Sequence, residues 1–454
     1  MFKKFGKRLI KWTGIALACL VVLGTVFVGY MILLHDRPLA LPAPTGPHTV
    51  GRTEYVWVDA SRTDPLSEIA GEKRQLLIWV WYPSSAEGSP APYLPSKWVA
   101  AHNRDQGLGR WLERDYSSIQ THAFEDASLS KQEKTYPVLL MQPGMGPVST
   151  DYTILAENLA SNGYVVVGID PTYTSNLIVF PDGRVVPRSE KGTIPDSANA
   201  AQADADANRI GKVWTDDAVF AINRLQELNA DPSSPFHNQL DLDHLGAFGH
   251  SFGGKTAISL CEIDSRCKAG ADLDGSAFSN DLKGTLRQPF LFMTQGNCSN
   301  CDSMHRMYKG TQNASYYLSV AGAGHFNFSD LPVRLLPPAR LLFRLLGFIG
   351  TIPPQRGGEI ANAYLVAFFD KYLKGIDSEL LRGASPQYPE VNFNKHEASS
   401  FQHLYSTLRC FHRPQNGLHY TVANSFPTPD LLAILSAGRS GWWMNTSQYQ
   451  RSYA

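Results

Sequence analysis

The chain has 454 residues, 43% of them hydrophobic and 18% charged, a composition that excludes intrinsic disorder and suits a folded body with a substantial core. Its 41 basic and 41 acidic residues cancel, and no basic stripe follows the first dozen positions, which argues against a nucleic-acid partner.

The first 11 residues, "MFKKFGKRLIK", carry five positive side chains ahead of Trp12 to Leu34, a run of 23 without a charge. About 20 apolar residues cover the hydrocarbon thickness, whereas a secretory signal has an apolar region of about 7 to 15 and then a small-residue cleavage site. Here His35, Asp36, Arg37 and Pro38 follow. The reading is an uncleaved, single-pass membrane anchor over 12–34, with a removed signal and a secreted body as the alternative. The basic segment 1–11 is expected to stay cytoplasmic and the body to lie outside. Five of the six cysteines fall in that body. "GNCSNCDS" has half of a zinc pattern but no second CxxC, so a local disulfide or two buried thiols is preferred to a metal.

Residues 35–51, rich in Pro and Gly, read as a tether. "TEYVWVDA" and "RQLLIWVWYP" then read as strands from their β-branched and aromatic content. "YPVLLMQPGMG" and "GYVVVGIDPTY" contain short, almost wholly apolar runs, the pattern of strands covered on both faces. Between them "DYTILAENLASNG" has helical spacing and stops at Gly163. "PDGRVVP" holds an Asp-Gly tight turn, and 211–230 read as a helix. "AGADLDG", "PFLFMTQG" and "SYYLSVAGAGH" are further strand candidates. The expected fold is α/β, a mostly parallel sheet with helices on both faces.

"LGAFGHSFGGKTA" sets Ser251 between Gly249 and Gly253, at the end of a short strand and the start of a helix. Gly-x-Ser-x-Gly in that setting is a nucleophile elbow. The turn strains the serine backbone and brings neighbouring chain so close that side chains at the two glycines would collide. A serine hydroxyl needs a base, and an acid to orient it, in the order Ser, acid, His. Of six downstream histidines, His325 ends a strand in an Ala-Gly loop, while His396, His403, His412 and His419 sit in polar sequence without one. For the acid, Asp274 follows one strand and Asp302 follows the next; spacing leaves both open, and Asp272 reads as structural. The oxyanion donors are expected to be the backbone of Phe252, next after the nucleophile, and of Met145 in the loop "MQPGMG".

These segments resemble the platelet-activating factor acetylhydrolases of the α/β-hydrolase superfamily. "GHSFGG" resembles that family's elbow, "LDG" its acid segment and "GHFNFSD" its histidine segment, loosely over 75–330. The resemblance implies a triad of Ser251, Asp274 and His325, which decides against Asp302, and oxyanion donors at Met145 and Phe252. The family's oxyanion loop usually reads His-Gly-Leu-Gly, whereas this chain has Pro143, Gly144, Met145 and Gly146. It further implies calcium-independent cleavage of short or oxidised acyl chains from phospholipids, through an acyl-enzyme and with no cofactor or metal. A general carboxylesterase, dienelactone hydrolase or polyester hydrolase is the alternative, and a non-catalytic membrane-tethered binding module the second.

Residues 331–350 place Arg334, Arg340 and Arg344 among leucines and phenylalanines. Such a segment either packs on the domain or forms a lid or lipid-facing surface; Pro337 and Pro338 break any single long helix. "EIANAYLVAFFDKYLKG" reads as a buried closing helix. The catalytic domain is taken as 52–399, and 400–454 as an extension of no assigned role.

Overall fold

Apolar strands of both periods, continuous and alternating, assemble into one sheet in the computed structural model, which describes residues 2–397 apart from 86–87, 196, 282–283, 297 and 299–300, with side chains from residue 11. The extension 400–454, with His403, His412 and His419, lies outside the described residues.

The chain opens with α1 (Phe2–His35), β1 (Leu39–Ala40) and the long antiparallel pair β2 (Thr49–Thr63) and β3 (Lys73–Ser84). The edge is built from β4 (Pro90–Pro92), α2 (Ser96–Gln106) and β5 (Ile119–Glu125). Next come β6 (Tyr136–Gln142), α3 (Thr153–Ser161) and β7 (Val165–Asp170). A small hairpin, β8 (Leu177–Val179) and β9 (Val185–Pro187), turns at Asp182-Gly183 with Gly183 at φ 93°, as the Asp-Gly pair predicts. Then follow α4 (Ala200–Ala230), β10 (Leu240–His250), α5 (Phe252–Ile263), β11 (Cys267–Leu273) and β12 (Phe290–Gln295). The chain closes through α6 (Asp302–Gly310), β13 (Ser315–Val320), α7 (Leu331–Arg334), α8 (Pro337–Leu345), α9 (Arg356–Phe369) and β14 (Val391–His396).

The strand order is β1-β5-β2-β3-β7-β6-β10-β11-β12-β13-β14. From β7 across to β13 every neighbouring pair is parallel; β3 on one side and β14 on the other join antiparallel. The mostly parallel sheet with helices on both faces is therefore the fold.

Alternation along β3 explains the two layers. Leu77, Trp79 and Trp81 face the core under α3 and α9, whereas Leu76, Ile78 and Val80 face the core under α4 and α5. Successive side chains of a strand point to opposite faces, and each fully buried large one contributes about 1.5–3 kcal/mol of burial energy. All seven residues of β6 and all six of β7 are buried.

Chain order also positions the site. From β6, α3 carries the chain to β7 on one side; from β7, α4 returns it past β6 to β10 on the other. The direction of winding reverses between β6 and β10, so the loops leaving their C-terminal ends diverge and open a crevice. Those two loops hold Met145 and Ser251.

Several expectations need correction. The 211–230 helix begins earlier, at Ala200; its early turns are exposed or half-buried and carry no apolar stripe, so periodicity does not reveal them. The segment read as a tether runs along the body: β1 pairs with β5, Leu41 is buried, and Thr45 and Gly46 donate to Asn158 Oδ1 and Ser161 Oγ. The expected break at Pro337 and Pro338 is present, with α7 ending at Arg334 and the two prolines forming the first turn of α8, since proline is suited to the first helical position. Four of the body cysteines pair as Cys261–Cys267 and Cys298–Cys301, so the CxxC forms the local disulfide.

Candidate active site

Ser251 sits between β10 and α5 with φ 56° and ψ −116°, a left-handed conformation that a residue with a side chain adopts at a cost of about 1–3 kcal/mol. Its flanking glycines are required by packing. A Cβ on Gly249 would lie 2.3 Å from the Gly253 carbonyl carbon, and one on Gly253 would lie 2.1 Å from the Gln142 carbonyl oxygen. Both are below any real contact, so the elbow and the end of β6 come this close only without side chains. Phe252 is the first residue of α5, a position whose N–H has no partner within the helix.

Asp274 follows β11 and is itself left-handed at φ 54°. Its Oδ2 lies 2.6 Å from His325 Nδ1, and its Oδ1 accepts from the Gln295 amide at 2.8 Å. The carboxylate is buried while the imidazole is partly open to solvent. Asp302 begins α6 and is exposed; the structure brings Asp274, not Asp302, to His325. Asp272 is buried beneath the elbow, with Oδ1 accepting from Gly275 and occupying the space above Gly254. Burial pushes its carboxyl well above the usual range, and the neighbouring Asp274 adds to the shift.

His325 is brought to the elbow by its neighbour. The rings of His250 and His325 lie 4.5 Å apart, and His250 Nε2 lies 2.9 Å from the His325 carbonyl. His250 directly precedes Ser251, and a Cβ on Gly144 would stand 3.4 Å from Ser251 Cβ. The histidine loop, the elbow and the loop after β6 therefore converge. His305 instead packs on Tyr308 and Tyr317, and His396 ends the edge strand β14.

The 143–146 loop is braced from two sides. Gly144 N–H donates to Tyr152 Oη at 3.0 Å, and the Gly146 carbonyl accepts from Asn176 at 2.7 Å. Met145 and Phe252 place their side chains in one apolar cluster with Leu66, Trp214 and Phe278. Tyr152 and His250 were assigned no role from sequence; His250 lies within the elbow motif, but nothing in the pattern links it to a tyrosine 98 residues away.

A strained serine that directly follows His250, whose ring lies 4.5 Å from that of an aspartate-paired His325, is consistent with the arrangement of a serine hydrolase. Against known families, the model of platelet-activating factor acetylhydrolase, isoform II, matches residues 35–180 and 223–387. The chain belongs to this family.

A probable 1-alkyl-2-acetylglycerophosphocholine esterase of Arthroderma benhamiae is 26% identical over 384 residues, 78% of this chain and 93% of that protein. The platelet-activating factor acetylhydrolase of Cavia porcellus is 23% identical over 366 residues, 74% of this chain and 78% of that one. Among solved structures, a ferulic acid esterase from Streptomyces cinnamoneus superposes with a TM-score of 0.65 at 28% identity, covering 78% of this chain and 99% of the esterase. As a member of the family, the chain is a carboxylic ester hydrolase.

Proposed function

We propose that Ser251, His325 and Asp274 are the catalytic triad of an esterase that removes short or oxidised acyl chains from glycerophospholipids, with the Met145 and Phe252 amides as its oxyanion hole. The observation that carries this reading is the strained Ser251 at the end of β10 combined with the 2.6 Å pairing of His325 with buried Asp274.

In this mechanism His325 takes the Ser251 hydroxyl proton as Oγ bonds to the ester carbonyl carbon. The carbonyl electrons move onto oxygen, and the oxyanion is held by the two amides. Within the loop, Pro143 has no N–H and the Gly144 amide is taken by Tyr152, which leaves the Met145 and Gly146 amides; of these the family resemblance favours Met145. As the tetrahedral species collapses, His325 gives its proton to the departing alcohol. Water, deprotonated by the same imidazole, then releases the acid from the acyl-serine. Asp274 keeps Nδ1 protonated and the ring oriented. No metal or cofactor enters these steps.

The phospholipid preference is supported by the names of the relatives and by the surface next to the site. Lys11–His35 is long and apolar enough to cross a membrane. Its last turn is docked rather than loose: Met31 and Leu34 pack on the cluster built by α7 and α8, the same cluster that Phe326, next to His325, touches. On α8, Leu341, Leu342 and Leu345 are exposed, as is Leu346 just after it, while Ala339 and Phe343 are buried. In this reading α1 is an uncleaved anchor with the body on the extracytoplasmic side, and the leucine face of α8 rests in the surface of the membrane that α1 crosses. Residues 331–350 then pack on one side and meet lipid on the other.

The test uses the full chain in detergent, because β1 and Leu41 integrate the segment after the anchor into the body. Wild type and Ser251→Ala are assayed against acetyl, butyryl and long-chain esters, a feruloyl ester, and phospholipids with acetyl or oxidised sn-2 chains. The expected result is turnover of short and oxidised sn-2 chains by wild type and near-complete loss in the variant. Equal activity in Ser251→Ala rejects the mechanism, and a clear preference for the feruloyl ester rejects the substrate.

A further inference from the structure

Two buried side chains outside the proposed triad join the 143–146 loop, the elbow and the His325 loop by hydrogen bonds. Tyr152 lies at the start of α3 and His250 at the end of β10; they are 2% and 1% exposed. Tyr152 Oη lies 2.8 Å from His250 Nδ1, and Gly144 N–H donates to the same phenol oxygen at 3.0 Å. On the other edge of the imidazole, Nε2 lies 2.9 Å from the His325 carbonyl oxygen.

The direction of each bond follows from the chemistry of its partners. A carbonyl oxygen only accepts, so His250 Nε2 carries a hydrogen. Burial, and to a lesser extent the neighbouring His325, hold His250 well below the ordinary histidine range, so the ring is neutral and Nδ1 is an acceptor. Tyr152 must then donate to Nδ1, and its oxygen is left to accept from Gly144. Every donor and acceptor in the row from the Gly144 amide to the His325 carbonyl has one arrangement.

The row spans the parts whose mutual placement matters. One end holds the Pro143–Gly144 peptide, one unit ahead of the Met145 amide, the other holds the backbone of His325, and its middle residue is bonded to Ser251. Packing at this end is close: a Cβ on Gly144 would lie 3.3 Å from both His250 Nδ1 and the Tyr152 oxygen. We propose that Tyr152 and His250 are positioning residues, a strut that holds the Met145 amide and the His325 ring in register with Ser251. Neither touches substrate in this role. The inference rests on the serine-esterase reading above.

The experiment compares wild type, Tyr152→Phe, His250→Gln, His250→Leu and Ser251→Ala as full chains in detergent. It measures kcat, KM, the rate at which a fluorophosphonate labels Ser251, and the thermal unfolding midpoint. Because a misplacement of about 1 Å at an active site costs on the order of 100-fold, Tyr152→Phe is expected to lower kcat and the labelling rate together by about 10- to 100-fold, with KM and the unfolding midpoint nearly unmoved. His250→Gln, which keeps an N–H toward the His325 carbonyl, is expected to retain clearly more activity than His250→Leu. Unchanged kcat and labelling in Tyr152→Phe overturn the strut, as does a loss that only follows a falling folded fraction. If Tyr152→Phe does not fold, the two His250 variants decide, and equal activity in them overturns it. Wild type must turn over ester and Ser251→Ala must not; an inactive wild type sinks the esterase reading, whereas an active wild type with an equally active Tyr152→Phe sinks only the strut.

Discussion

Asp274 and His325, 51 residues apart in the chain, meet at 2.6 Å through Oδ2 and Nδ1, while Asp302 stands exposed at the head of α6. Asp274→Asn turns the imidazole to the wrong tautomer and is expected to lower kcat by about 10⁴-fold with little change in KM. Asp302→Asn is expected to leave kcat within about twofold of wild type, as for a surface substitution away from the site. Steady-state kinetics on an acetyl ester separates the two; the opposite ranking would move the acid to the next strand.

The elbow glycines and a helical glycine make opposite predictions. Gly253→Ala puts a methyl 2.1 Å from the Gln142 carbonyl oxygen and is expected to abolish turnover and destabilise by more than about 2 kcal/mol. At Gly358, inside α9, the nearest atom to an added Cβ is Ile154 Cγ2 at 3.7 Å, an ordinary contact. Gly358→Ala is expected to stabilise by about 0.5–1 kcal/mol through helix propensity. Denaturant unfolding of both variants checks the contrast.

Stability should fall as pH rises through the acid-to-neutral range. Asp170 is fully buried at the end of β7, and burial pushes its carboxyl up to about 7, offset in part by bonds from Ser149 and from the Trp79 indole. An acid raised on folding is protonated in the folded chain and ionised in the unfolded one between about pH 4 and 7. The folded state binds more protons there, so its contribution to stability is greatest below that window and is lost as pH climbs through it, by at most about 4 kcal/mol. Asp170→Asn, which does not titrate, should flatten this part of the profile of unfolding free energy against pH. A wild-type profile that rises from pH 5 to 7 with the same slope in the variant would contradict it.

Charge on the leucine face of α8 should separate lipid from soluble substrate. Leu345 is 77% and Leu341 57% exposed, so Leu341→Asp/Leu345→Asp removes no core contact. The double variant is expected to hydrolyse a water-soluble acetyl ester like wild type but to lose about 10-fold or more in rate on phospholipid presented in vesicles, the loss expected when burial of apolar side chains in the interface is replaced by charge. Equal rates on both substrates would place α8 away from the membrane.

Much of the sheet was legible because strand burial writes itself into composition: the continuous apolar runs of β6 and β7 and the β-branched and aromatic content of β3 suit strands covered on both faces. The elbow was legible for a related reason, since backbone crowding admits only glycine at Gly249 and Gly253. Elements with weak patterns escaped: the early turns of α4, the edge strand β14, and the packed course of residues 39–48, whose hydrogen bonds are made by partners about 80 to 115 residues away.

The residue types and their order, an alcohol in a tight strand-to-helix turn followed by acids and a histidine after later strands, are local properties, and local sequence determined them. The choice of Asp274 over Asp302, the disulfide partners, the docking of α1 beside α8 and the bonds of Tyr152 and His250 depend on which strand ends become neighbours. That is decided when the winding reverses between β6 and β10, because a hydrogen bond of about 3 Å between distant segments exists only once the whole sheet has set their separation.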